Sequence, residues 1–160
     1  MQIISNARQA TLKIGKALAK KLKKGDIVCL FGQLGSGKTV LAKGIASGLG
    51  IDKKDIISPT FVLIREYKKG RLPFYHFDLY RLANPREILA LGYEEYLEAG
   101  GLVLIEWADR LKGYLPGEYL KIELIIKNEK KRLLRFSAYG RRYQDLLKAF
   151  MQDIAKNGSF

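Results

Sequence analysis

The residues Gly32-Gln33-Leu34-Gly35-Ser36-Gly37-Lys38-Thr39 have the types and the spacing that phosphate chemistry requires. They fit G-x4-G-K-[ST], the phosphate loop. Glycines let a backbone wrap closely enough for successive N–H groups to point inward at phosphate oxygens. A helix starting at the loop's end aims its positive pole at the same place. Lys38 can reach the β and γ oxygens, and the Thr39 hydroxyl can ligate Mg²⁺. In a chain of 160 residues with 16 glycines, such a match arises by chance roughly 1% of the time. Gly32, Gly35, Ser36, Gly37, Lys38, Thr39 and Val40 are therefore the candidate nucleotide-contacting residues, with ATP and Mg²⁺ as the expected ligands.

Such a loop needs an acid at the end of a neighbouring strand to hold Mg²⁺, usually through water. Two segments offer one. Leu102-Val103-Leu104-Ile105-Glu106 is an apolar run that ends in Glu106; Phe74-Tyr75-His76-Phe77-Asp78 is less apolar and ends in Asp78. Each acid also has a plainer reading, Glu106 as a solvent carboxylate and Asp78 as a partner for Arg81. His76 alternates with Asp78 on one strand face and reads as structural. The hydroxyls of Ser58-Pro59-Thr60-Phe61 could sense a γ-phosphate, or the proline could simply fix the turn into a strand. Trp107 could stack on adenine or belong to the core.

The elements that must position these groups follow from periodicity. Apolar residues at Ala7, Ala10, Ile14, Ala17, Leu18 and Leu22 predict a helix over 6–23, with Ser5 as N-cap and Gly25 after its last turn. Residues 27–31 read as a buried strand, 32–37 as the glycine loop and 38–48 as a helix. Residues 56–58 read as short and extended before Pro59. A hairpin is expected over 61–79, turning at Lys69-Gly70, then a helix from Pro85 toward Leu91. Residues 102–106 are a second buried strand, 119–126 and 132–139 a second hairpin, and 143–155 a closing helix. The fold class is α/β: one P-loop domain over 1–160, with a mixed sheet flanked by helices.

Composition narrows the class of protein. Half of the chain is apolar (48%), enough for a core, and a single cysteine, Cys29, excludes an internal disulfide. The longest apolar run is only 27–31, so no membrane span is expected, nor a signal-peptide core; the cytoplasm is the expected compartment. The net charge of +13 is unevenly placed. Residues 1–24 carry seven Lys/Arg and no acid, residues 25–111 eleven of each sign, and 112–160 eleven basic against five acidic. Basic ends of this kind suit an anionic partner such as RNA, or form solvated helix faces.

Taken together, these residues resemble the TsaE (YjeE) family of small bacterial P-loop ATPases. The resemblance rests on the loop from Gly32 to Thr39, Ser58-Pro59-Thr60-Phe61, His76-Phe77-Asp78-Leu79-Tyr80-Arg81, Leu91-Gly92-Tyr93 and Ile105-Glu106-Trp107, in that order, and it covers about residues 5–140. The chain departs from the family pattern at Gln33, where an Asp is common, and at Gln9-Ala10, where an acid precedes Thr11. The resemblance implies an ATPase required for threonylcarbamoyl modification of tRNA adenosine 37. It would act with TsaD and TsaB, meet tRNA through that assembly, and use hydrolysis to reset it. It further implies Thr39 and Glu106 at the metal, Asp78 as a catalytic or switch acid, and Thr11 and Arg132 near the nucleotide.

Two other readings compete. A P-loop kinase of a small metabolite would need an arginine-bearing lid, and between 50 and 102 only Arg65, Arg71, Arg81 and Arg86 are present. A nucleotide-gated RNA-binding adaptor would account for the basic ends without useful hydrolysis.

Overall fold

The structure is a computed structural model that describes residues 1–52, 54–57 and 61–157. Its centre is a seven-stranded mixed sheet: β1 (Gln2–Ser5), β2 (Ile27–Phe31), β3 (Ile64–Tyr67), β4 (Phe74–Asp78), β5 (Leu102–Glu106), β6 (Tyr119–Ile126) and β7 (Arg132–Tyr139). The spatial order is β1-β7-β6-β2-β5-β4-β3. β2 runs parallel to both β5 and β6, and β4 parallel to β5, while the outer pairs β3–β4, β6–β7 and β1–β7 are antiparallel. The helices are α1 (Arg8–Ala19), α2 (Lys38–Gly48), α3 (Glu87–Ala90), α4 (Tyr93–Glu98) and α5 (Arg141–Asn157), with a 3-10 segment at Ala108–Tyr114 kinked at Lys112.

The central strands are apolar on both faces because helices cover both. Val28, Leu30 and Leu104 pack with Ile14 of α1, Leu41 and Ile45 of α2, and Leu146 and Phe150 of α5. Cys29, Phe77, Val103 and Ile105 point the other way, onto Ile88, Tyr93 and Leu111. Period-two alternation along each strand makes this division. It also decides where the functional side chains go: Phe74, His76 and Asp78, like Leu102, Leu104 and Glu106, are alternate residues of their strands.

α1 and α2 approach at backbone distance. A Cβ on Gly15 would stand 2.6 Å from the Leu41 carbonyl oxygen, and one on Gly44 2.5 Å from that of Leu12. Only glycine permits that approach. α1 ends earlier than its apolar spacing predicts, at Ala19, because Arg71 reaches across from the β3–β4 turn. Its Nη2 donates to the carbonyls of Ala19 (2.6 Å) and Leu22 (2.9 Å), capping the last turn where a cation is favoured. At the same end of the sheet, the Tyr143 hydroxyl of α5 accepts the Ile27 N–H at 2.7 Å, and Arg142 grips the buried Asp26 carboxylate through Nε (3.0 Å) and Nη2 (2.6 Å). α5 is thereby fastened to the start of β2.

Several local expectations change. Ser5 is not the N-cap of α1. It ends β1, the cap position is Ala7 without a side-chain bond, and Ser5 Oγ pairs instead with Thr11 Oγ1 at 2.8 Å. β1 itself was not expected: four residues carry little periodicity, and the strand exists because it fills the free edge of β7. α4 and the 3-10 segment are likewise additions, each too short for a clear helical repeat. Ile56 and Ile57 are in no strand, and Ser58 lies outside the described residues.

Candidate phosphate and metal site

The loop between β2 and α2 adopts the conformation its glycines allow. Gly32, Gly35 and Gly37 have φ of 142°, 74° and 101°, a region in which L side chains are strained. A Cβ at Gly32 would also lie 2.5 Å from the Leu124 carbonyl oxygen and 2.7 Å from Ser36 Oγ. Gly37 is the N-cap of α2, so the positive pole of an eleven-residue helix opens into the loop. Lys38 curls back over the loop: its Nζ donates to the carbonyls of Gly32 (2.7 Å) and Gln33 (3.0 Å) and lies 3.6 Å from the centre of the Trp107 ring. Burial draws the Lys38 ammonium below the ordinary lysine pKa, against the opposing pull of Glu106, Asp109 and Asp78.

Glu106 lies beside the loop because β2 and β5 are adjacent and parallel, with Leu30 level with Glu106. Its carboxylate is held at both oxygens. The Thr39 hydroxyl donates to Oε2 at 2.8 Å, and His76 Nε2 sits 2.8 Å from Oε1. An ionised carboxylate only accepts, so His76 is the donor of this bond, through Nε2. His76 Nδ1 is buried without a partner. His76 and Glu106 are 0% and 1% exposed, so this chain is shielded from water. Asp78 is level with Glu106 across the β4–β5 ladder, and its Oδ1 accepts the Tyr80 N–H at 3.0 Å.

Two hollows adjoin the loop and share Gly35, Gly37 and Val40. One, about 370 Å³, is lined by Lys38, Thr39, Asp78, Tyr80, Glu106 and Trp107. The other, about 330 Å³, is lined by Ala7, Arg8, Thr11, Glu129, Lys130 and Arg132. Thr11 and Arg132 thus converge on the loop from opposite ends of the sequence, and Arg132 Nη2 donates to Gly35 O at 3.3 Å. Trp107 stands in the hollow with Lys38 and not in the one with Thr11; its ring also meets Tyr80 at 5.0 Å between centres. Ser58, Pro59 and Thr60 lie outside the described residues. Their neighbour Phe61 is 82% exposed, with the Arg81 guanidinium 4.5 Å from its ring centre. Arg81 therefore meets Phe61, while Asp78 meets the backbone of Tyr80.

The residues present fit a triphosphate and Mg²⁺. Ser36 Oγ is a buried hydroxyl in the loop without a partner in the protein, and the Gly32 cradle would be closed by any side chain. Among the described residues no cluster of three His, Cys, Asp or Glu could hold a metal unaided. Mg²⁺ at phosphates needs fewer protein ligands, since phosphate oxygens and water complete its octahedron. The Thr39 hydroxyl and the Glu106 carboxylate are oxygen groups that meet beside the loop. Of the site, His76 is what the sequence reading passed over as a participant. Its signal was the two-residue spacing from Asp78; its partner, 30 residues on, is visible only in the fold.

A strand, a glycine loop and a helix, with acids ending the next two parallel strands, define a P-loop nucleotide-binding protein. Comparison with known proteins narrows the class. The family model described as "Threonylcarbamoyl adenosine biosynthesis protein TsaE" matches residues 5–134. A curated "tRNA threonylcarbamoyladenosine biosynthesis protein TsaE" from Bacillus subtilis is 42% identical over 138 residues, covering 86% of this chain and 85% of that protein. The protein of the same description from a Nostoc strain is 40% identical over 144 residues, 88% of this chain and 87% of its own. The crystal structure of YdiB from Bacillus subtilis superposes with a TM-score of 0.84 at 35% identity, covering 96% of this chain and 95% of that one. The chain belongs to the TsaE family.

Proposed function

We propose that this chain, a single P-loop domain over 1–160, is a Mg²⁺-dependent ATPase that serves threonylcarbamoyladenosine formation on tRNA, working with TsaD and TsaB in the cytoplasm. The observation that carries the nucleotide half is the pairing of Lys38 on the loop with the Thr39–Glu106–His76 chain. The tRNA half rests on relatives whose names state that role. Among the described residues no helix is long and apolar enough to cross a membrane.

The proposed chemistry assigns each group a task. The loop backbone and the α2 N-terminus bind phosphate oxygens, and Lys38 supplies a point charge where charge develops in phosphoryl transfer. Mg²⁺, when bound, would supply positive charge against the phosphates. Thr39 and Glu106 would hold it, with His76 fixing the carboxylate's orientation. Asp78, level with Glu106, would orient the attacking water or hold the Leu79-Tyr80-Arg81 segment in its ATP shape. The hollow with Thr11 and Arg132 is left for the nucleoside. TsaD and TsaB would carry out the threonylcarbamoyl transfer.

The test has two arms. Calorimetry with Mg·ATP should show binding to the wild type and none measurable to Lys38→Ala; equal affinity would remove the phosphate-loop assignment. Immobilised protein should retain TsaD and TsaB from cell extract in a manner that differs between ATP and ADP. A phosphorylated metabolite appearing in step with ADP would favour a kinase instead.

A further inference from the structure

The fold gathers basic side chains on one face of the sheet. The layer of α1, α2 and α5 is basic. α1 and the turn after it contain no acid, and Arg8, Lys13, Lys16, Lys20, Lys23 and Lys24 are all exposed. Lys13, Lys16 and Lys20 fall at i, i+3 and i+7, a single stripe on the face opposite Ile14 and Leu18. Arg141, Lys148 and Lys156 are exposed on α5 of the same layer. Its two acids, Asp145 and Asp153, lie 4.0 Å from Lys148 and 2.7 Å from Lys21. The opposite layer mixes its charges: Glu87, Glu94, Glu95 and Glu98 on α3 and α4 are exposed, and so are Arg81, Arg86, Arg110 and Lys112 around them. A surface charged only for solubility would mix the two signs on each face.

We infer that the α1–α5 face docks the phosphate backbone of a structured RNA. Protein–protein contacts are depleted in Lys and anchored by aromatic residues. This face offers the reverse: Met151 is the one large apolar side chain exposed on α1, α2 or α5 among the described residues. Tyr80 and Leu34, side chains suited to a protein partner, line the hollow beside Lys38 and Thr39 instead. Lysines on a helix spanning about 18 Å act as independent point charges, which suits sequence-independent phosphate contact. Arg8, in the first turn of the same helix, lies beside Lys130 and Arg132 on the rim of the second hollow. The choice of RNA over other polyanions rests on the proposed role in tRNA modification; the gathering of basic charge on this face does not.

The experiment is fluorescence anisotropy of a labelled tRNA transcript with the full chain, without nucleotide, across a salt series. The wild type should bind with a dissociation constant tighter than about 10⁻⁴ M at physiological salt. The variant with Lys13→Ala, Lys16→Ala and Lys20→Ala should lose at least about tenfold in affinity and flatten the log–log salt slope by about two to three. The same charge loss at Lys68→Ala, Lys69→Ala and Arg110→Ala should change affinity by less than about twofold. Equal losses in both variants, or no binding by the wild type, would overturn the inference. So would tighter binding of duplex DNA or phosphatidylserine vesicles than of tRNA. Should the α1 variant fail to fold, acetylation of wild-type lysines with and without tRNA decides: Lys13, Lys16 and Lys20 should be protected and Lys68 and Lys69 not, and the opposite pattern would refute it. Because no nucleotide is present, loss of the ATPase reading would leave this result untouched.

Discussion

Glu106 Oε2 accepts the Thr39 hydroxyl proton at 2.8 Å across 67 residues of chain. That contact joins the end of β5 to the first turn of α2 and brings the two groups suited to a divalent cation together. Asp78 is equally close in strand register, and its Oδ1 accepts the backbone N–H of Tyr80. The two acids therefore differ in what they touch.

Their variants should differ too. Glu106→Ala is expected to weaken nucleotide affinity and its Mg²⁺ dependence together. Asp78→Ala should leave binding nearly intact and slow hydrolysis by roughly 10²-fold or more, the scale of losing a general base. Titrations with a fluorescent ATP analogue and single-turnover hydrolysis with partners present separate the roles. The reverse pattern would exchange them.

Among the described residues His76 hydrogen-bonds only Glu106, while its ring stacks on Phe74 at 5.8 Å between centres. His76→Leu removes the donor and should loosen the carboxylate, so that Mg²⁺ enhances ATP-analogue affinity less while metal-free affinity stays unchanged. His76→Gln retains a donor and should restore part of the Mg²⁺ effect. A merely structural histidine would lower metal-free affinity and thermal stability equally in both variants.

The α1–α2 contact admits no side chain at its crossing. Gly15→Val and Gly44→Val each drive a Cβ into a backbone carbonyl oxygen and should destabilise the fold by about 1–3 kcal/mol or more. Chemical denaturation measures this. A loss below half a kilocalorie would mean that the helices separate freely.

The buried Ile27 N–H depends on Tyr143 for its bond. Tyr143→Phe keeps the ring and strands that donor, at an expected cost of about 1–3 kcal/mol. Because Ile27 begins the strand that ends at the phosphate loop, amide exchange along β2 should accelerate with it. Unchanged protection of Ile27 would show that its N–H has another partner.

Much of the site was legible because its chemistry is local. The strand Ile27–Phe31, the glycines after it and the helix Lys38–Gly48 follow one another, and each is dictated by its own residues: apolar run, φ above zero, helical spacing. The strands Leu102–Glu106, Tyr119–Ile126 and Arg132–Tyr139 announce themselves by pattern in the same way. Thr11 and Arg132 came from family resemblance; no spacing within the chain points to either. That both meet the loop, that Glu106 takes Thr39 while Asp78 does not, and that His76 belongs with them were decided by strand order and register. β1 and the gathering of lysines onto one face of the sheet belong with these. Such features arise from contacts between residues far apart in sequence, whose energy depends on which surfaces the sheet and helices bury together, and no local stretch of the chain contains that information.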